Sequence, residues 1–82
     1  DPYLYLNMGI ACTELKDEEN AIKYLLRSVT LKPNLGNAHY ALAVTYYNQR
    51  QFKLALTHMN LAIDAGVEVP QDQLDAIASQ IK

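Results

Sequence analysis

The 82-residue sequence has little of several features that mark particular classes of protein. It contains one cysteine, Cys12, so no disulfide can form within the chain and nothing indicates an oxidising compartment. Its 7 lysines and arginines are outnumbered by 9 aspartates and glutamates and are scattered along the chain, which argues against a nucleic-acid-binding surface. No apolar run approaches the ~20 residues that a membrane-spanning helix needs. We therefore expect a soluble protein, with the cytoplasm as the favoured compartment.

Residues with catalytic chemistry are also sparse. The three glycines are isolated, so no phosphate-binding glycine loop is present. His39 and His58 lie on different predicted helices, and with Cys12 they form neither a Cys/His dyad nor a metal-binding spacing. The sequence therefore predicts no catalytic residue, no metal and no cofactor within these residues, although a catalytic domain could lie elsewhere in a parent chain.

The composition is that of one small globular domain. Half of the residues are apolar and a fifth are charged, and 82 residues suffice for one domain but not for two. The chain begins with Asp1 and Pro2, without an initiator methionine or a signal peptide. We expect it to be a piece of a longer protein or a processed one.

All segments with a clear hydrophobic pattern have the period of an α-helix. Apolar residues recur every three or four positions in five runs, and no segment alternates with period two. Pro33 ends the second run, and Gly66 suits a left-handed cap at the end of the fourth. The sequence thus predicts five helices and no strands.

These helices repeat with a period of about 34 residues, as Gly9 and Ala43 or Ala21 and Ala55 show. The repeating positions resemble the tetratricopeptide repeat (TPR) pattern W-x2-L-G-x2-Y…A-x3-F…P. The first unit has Tyr5-x2-Met8-Gly9-x2-Cys12, Ala21-x3-Leu25 and Pro33, and the second has His39-x2-Leu42-Ala43-x2-Tyr46 and Ala55-x3-Met59. Pro70 comes three residues late, and the last segment restarts the pattern as Leu74-x2-Ile77-Ala78-x2-Ile81. We call this 34-residue spacing between equivalent positions the repeat period.

The resemblance implies an all-α fold, an α-α superhelix of two TPR helical hairpins plus a C-terminal capping helix. The single domain covers residues 1–82, with repeat 1 at about 2–35, repeat 2 at about 36–69 and the capping helix at about 71–82. It also implies a non-enzymatic adaptor or scaffold that binds a protein partner through the concave face of the superhelix.

The resemblance places that concave face on the first helix of each hairpin and on the last helix. The residues expected there are Tyr3, Leu6, Asn7, Ile10, Asn37, Tyr40, Ala41, Val44, Tyr47, Asn48, Asp72 and Asp75. Such a groove is apolar and rich in tyrosine, with asparagines for backbone hydrogen bonds and two carboxylates at one end. It predicts an apolar or aromatic peptide, extended or helical, with a possible basic residue that reaches the carboxylates.

One function known in the family is disfavoured by the sequence. TPR domains that bind the C-terminal tails of heat-shock chaperones hold the terminal carboxylate with lysine, asparagine and arginine. The corresponding positions here are Leu6, Ile10 and Ala41, and none of these side chains can hold a carboxylate.

Two alternatives to peptide binding stay open. Tyr5, His39 and Tyr46 are expected to be core residues at the helix–helix seam, whereas Tyr40 and Tyr47 could pack against an adjacent repeat or a second copy of the chain. The fragment could also be a substrate-docking arm of a larger enzyme. The asparagines could equally be ordinary polar surface. For the two aspartates, a solvated face with charge at a helix N-terminus is favoured over a role in binding.

Overall fold

A computed structural model describes residues 1–81. Within this range the chain forms five α-helices and no strand: α1 (Pro2–Glu14), α2 (Glu18–Leu31), α3 (Gly36–Asn48), α4 (Phe52–Asp64) and α5 (Gln71–Ala78). The last helix, predicted over about 71–82, ends at Ala78, and Lys82 lies outside the described residues. The predicted all-α superhelix of two hairpins and a terminal helix is confirmed. None of the helices within residues 1–81 has the length and apolarity to cross a membrane.

Two helical hairpins, α1–α2 and α3–α4, stack through the contact of α2 with α3, and α5 packs on α4. Leu25, Leu42 and Met59 fill the space between the helices and are fully buried or nearly so. Small residues lie where helices cross closely, and Ala21 and Ala55 are completely inaccessible. Full burial of each large aliphatic side chain stabilises the fold by roughly 1.5–3 kcal/mol. The repeat period therefore reflects one packing arrangement used twice.

Three helices end in the same hydrogen-bonded turn. At the end of α4, the amide of Gly66 donates to the carbonyl of Ile63, and that of Val67 donates to Ala62. This is a Schellman cap, and Gly66 has the left-handed φ of 98° that it requires. Lys16 after α1 and Arg50 after α3 hold the same position with φ of 63° each, although side chains disfavour this conformation.

The seam between the hairpin helices holds most of the aromatic residues predicted for it. His39 and Tyr46 are buried, whereas Tyr5 is half-buried. Leu6, predicted to be part of an exposed recognition surface, is instead nearly buried and belongs to the core cluster. The cluster also contains Leu25 of α2 and Leu42 of α3, so Leu6 is part of the packing between the helices.

Candidate functional site

A groove runs between α1 and α3, with a volume of about 500 Å³. Its walls are formed by Leu6, Asn7, Ile10, Thr13, Glu14, Asn37, Tyr40, Ala41 and Val44. Seven of the twelve predicted concave-face residues are in this set, since the shared helical period places them on one side of each helix. Glu14 is the one charged residue in the lining. We call this cavity the groove.

A second, smaller cavity of about 210 Å³ lies between α3 and α5. Val44 lines both cavities, so the two adjoin along α3. Tyr47 and Gln73 also line the second cavity. At the boundary, the hydroxyl of Tyr40 donates a hydrogen bond to Oε1 of Gln73 at 2.8 Å. We call this second space the α5 cavity.

Tyr40 and Tyr47 each pack against the core and also line a cavity. Both are half-buried and pack against the hydrophobic core. The ring of Tyr47 meets Phe52 edge-on, with centroids 5.4 Å apart, a favourable geometry for aromatic pairs. A ligand could therefore contact only the side of each tyrosine that faces a cavity.

Four of the predicted residues lie outside the walls of these two cavities. The hydroxyl of Tyr3 accepts a hydrogen bond from Nζ of Lys32 at 2.7 Å, and the ammonium group lies over the Tyr3 ring at 5.1 Å from its centroid. Asn48 lines a separate small cavity with Arg50 and Gln80. Asp72 and Asp75, also exposed, are not in either lining. The structure does not bring these four residues together with the groove.

The orientation of α5 explains why Asp72 and Asp75 do not line the α5 cavity. Ile77 is buried in the core, and at about 100° per residue Gln73 and Ala76 lie beside it while Asp72 and Asp75 point away. The α5 cavity is accordingly lined by Gln73 and Ala76. Sequence reasoning included Ala76 but missed Gln73, although the expected burial of Ile77 could have indicated the correct side.

A pair of histidines joins α3 to α4 at the back of the second hairpin. Nε2 of His39 donates to the carbonyl oxygen of Pro33 at 2.8 Å, because a carbonyl can only accept. When His39 is neutral, its Nδ1 is then an acceptor, and Nδ1 of His58, 3.0 Å away, donates to it. The sequence was interpreted as two separate histidines, and the structure brings them into contact.

The first hairpin indicates that this histidine pair is a structural contact. Tyr5 and Tyr24 lie one repeat period before His39 and His58, and their rings stack with centroids 6.3 Å apart. The histidine rings stack at 5.2 Å. The same position in each hairpin thus holds an aromatic pair, and the repeat period was the signal that could have predicted the contact.

Burial shifts the pKa of His58, a member of this pair, and of Tyr46, whose ring stacks on His58. Desolvation lowers the pKa of His58 below its ordinary value of 6.5, and the nearby His39 lowers it further by charge repulsion. Burial also raises the pKa of Tyr46 above 10.0. Both pKa shifts arise because burial disfavours the charged form of the side chain. Within residues 1–81, no group of three or more histidine, cysteine, aspartate or glutamate side chains is arranged to hold a metal ion.

Comparison with known families identifies the repeated hairpin. The family model for the tetratricopeptide repeat matches residues 2–35, which span α1, α2 and the turn that leads to α3. Residues 2–35 thus form one tetratricopeptide repeat. No curated protein and no solved structure matches it. The match agrees with the arrangement of helices in the first hairpin, and α3–α4 repeats that arrangement one period later.

The match of residues 2–35 to a TPR bears on function at a general level. TPR units are typically non-catalytic modules for protein–protein interaction, so the family implies protein partners for this chain. The groove lies between the first helices of the two hairpins, α1 and α3. The role of individual groove residues stays a prediction.

Proposed function

We propose that this TPR module binds a peptide segment of a partner protein in the groove between α1 and α3. The supporting observation is the groove itself, whose apolar walls come from residues with the same helical period on two neighbouring helices. Helices stacked in this way form a rigid scaffold, so little entropy is lost when a ligand binds. The mechanism is burial of apolar surface in a preformed concave site, without a chemical reaction.

The lining defines the chemistry of the peptide. Ile10 and Val44 offer aliphatic surface, and Tyr40 offers the edge of a ring. Asn7 and Asn37 lie on opposite walls, where their amides can donate to and accept from a peptide backbone. Glu14 can pair with a basic side chain, in the role that the sequence suggested for Asp72 and Asp75. The proposed ligand is therefore an apolar or aromatic segment with a lysine or arginine near one end.

A random-peptide display library selected on the chain tests this proposal. Ile10→Glu places a charge in the groove, whereas Leu61→Glu places the same charge on α4, away from both cavities. The two residues are matched, since each is 40% exposed. We expect Ile10→Glu to weaken binding of the selected peptides by about tenfold or more, because a buried carboxylate is costly, and Leu61→Glu to leave it unchanged.

The same experiment can contradict the proposal. Equal losses in the two variants, or peptides that bind both as well as the parent chain, would mean that the groove is not the binding site. A second copy of the chain is the other possible occupant. A dimer seen by sedimentation equilibrium and lost in Ile10→Glu, but kept in Leu61→Glu, would show that the chain binds itself through the groove.

A further inference from the structure

The α5 cavity has the size of one aromatic side chain. Its volume is about 210 Å³, whereas an apolar cavity of about 150 Å³ takes up benzene. The additional space accommodates the second ring of an indole. Two alanines create this space, Ala43 on α3 and Ala76 on α5, because a larger side chain at either position would fill it. The α5 cavity therefore admits one planar group of indole size and is too small for a folded segment.

The walls of the α5 cavity favour an aromatic ring over an aliphatic chain. Met59 lines the cavity and is held in place by the core, since only 2% of it is exposed. Thioether groups make favourable contacts with aromatic rings. The ring of Tyr47, also in the lining, can form an aromatic pair with a bound ring. Val44 and Ile77 add aliphatic surface against which the face of a ring can pack.

Gln73 gives the cavity a polar group with a fixed role. Its Oε1 accepts a hydrogen bond from the hydroxyl of Tyr40 at 2.8 Å, which orients the amide at the boundary between the cavity and the groove. An amide oxygen has two lone pairs, so Oε1 can accept a second hydrogen bond. The N–H of an indole is a donor only. An indole ring therefore matches both the apolar walls and the acceptor.

We propose that the α5 cavity binds the indole ring of a tryptophan side chain, whose N–H donates to Oε1 of Gln73. The tryptophan belongs to the partner segment in the groove, because Val44 lines both cavities and Tyr40 connects the groove wall to Gln73. The segment then carries its tryptophan on the α5 side of α3 and its basic residue on the α1 side, where Glu14 lies. This source of the ring rests on the proposed function, whereas the cavity itself is tested without a peptide.

Free indole is the probe for the cavity. Methyl NMR spectra of the complete chain show where it binds, since the ring current of a bound indole shifts nearby methyl resonances. We expect saturable shifts at Val44 and Ile77, with a Kd of about 1 mM for a ligand of this size. Ala76→Leu fills the cavity and should weaken indole binding by about tenfold or more. Ala78→Leu is the matched control, because Ala78 is also an exposed alanine on α5 but lies outside the lining, and it should leave binding unchanged.

The hydrogen bond to Gln73 is tested with 1-methylindole, which lacks the N–H donor. We expect it to bind about three- to tenfold more weakly than indole, because one hydrogen bond is lost. Gln73→Met keeps the approximate size of the side chain and removes the acceptor. In this variant the two compounds should bind equally well, which separates loss of the hydrogen bond from a steric effect of the added methyl group.

Three results would overturn the assignment of the cavity. The first is the absence of saturable shifts at Ile77 up to the solubility limit of indole. The second is an equal effect of Ala76→Leu and Ala78→Leu on indole binding. The third is a preference for indole over 1-methylindole that persists unchanged in Gln73→Met, because Gln73 would then not be the acceptor.

Peptides selected on the chain test the source of the ring. We expect them to be enriched in tryptophan and to bind Ala76→Leu about tenfold more weakly than the parent chain. Peptides that bind both equally would show that the groove ligand does not fill the α5 cavity. Ile10 lies outside the lining of that cavity, so Ile10→Glu should leave indole binding intact. Failure of the groove therefore leaves the indole result standing, and failure of the cavity leaves peptide binding that is sensitive to Ile10→Glu.

Discussion

Replacement of Gly9 by alanine adds a methyl group at a close contact between α1 and α2. A Cβ atom on Gly9 would lie 2.6 Å from Cγ and 2.7 Å from Cδ2 of Leu25, with the carbonyl oxygen of Ala21 at 3.3 Å. Leu25 is completely buried, so it cannot move aside into empty space. The helices must therefore separate, or the leucine must leave its preferred rotamer.

Two opposing effects set the size of the change. Alanine in a helix interior is favoured over glycine by about 1 kcal/mol, whereas overpacking of a filled core costs typically about 1–3 kcal/mol. With contacts as short as 2.6 Å, we expect the upper part of that range and a net loss of about 1–2 kcal/mol. For a domain of this size, that loss corresponds to a fall in Tm of roughly 5–15 °C.

The assay is urea unfolding followed by far-UV circular dichroism, with a double-mutant cycle between Gly9→Ala and Leu25→Ala. Leu25→Ala removes the atoms that clash and costs about 2–5 kcal/mol by itself. All four chains are therefore measured in the same concentration of trimethylamine N-oxide, which stabilises folded proteins. In the Leu25→Ala background the clash is absent, and Gly9→Ala should stabilise the domain by about 1 kcal/mol through helix propensity.

The decisive result is that Gly9→Ala lowers the free energy of unfolding of the parent chain but raises that of the Leu25→Ala variant. If Gly9→Ala destabilises both backgrounds equally, the cost arises somewhere other than the Gly9–Leu25 contact. If it stabilises the parent chain, the two helices are not as close as the structure places them.

Three further predictions concern the helix ends, the core and pH. Lys16→Gly and Arg50→Gly should each raise the free energy of unfolding by about 0.5–1 kcal/mol in urea titrations, because φ is 63° at both positions. Lys16→Ala keeps the unfavourable φ and should give no such gain. Ala55→Leu should destabilise the domain by about 1–3 kcal/mol, since Ala55 is fully buried; an unchanged melting curve would contradict the packing around α4. Because burial and then His39 lower the pKa of His58 from 6.5, the unfolded chain binds this proton more readily, so the contribution to stability is full above pH 6.5 and is lost as pH falls below it. Thermal melts across this pH range should show a weaker acid dependence in His58→Phe, and parallel curves for the two proteins would refute the assignment.

Most of the helical framework follows from local pattern. Apolar residues at helical spacing predicted all five helices, and Pro33 and Gly66 predicted two of their ends. The repeat period predicted two equivalent hairpins, because equivalent side chains must meet equivalent neighbours. Most of the groove followed in turn, since residues with the same period on α1 and α3 share a side of each helix.

The sequence did not predict those side-chain positions that depend on contacts with other helices or turns. Tyr3 binds Lys32, 29 residues further along the chain, which no local pattern predicts. Leu6 lines the groove as expected, but its side chain is nearly buried in the core cluster rather than exposed. Lys16 and Arg50 adopt a conformation typical of glycine, because the turn between closely packed helices requires it.

The sequence by itself determined the helices, their repeat and the apolar character of the groove walls, because these depend on residue order within a single helix. Only the tertiary structure decided which apolar residues are covered. Ala38 and Leu4 occupy equivalent positions, yet the first is fully buried and the second is 56% exposed. It also decided that Gln73 rather than Asp72 faces the α5 cavity, because the burial of Ile77 sets the rotation of α5. Exposure depends on the neighbouring helices, and their positions are a property of the whole packed chain.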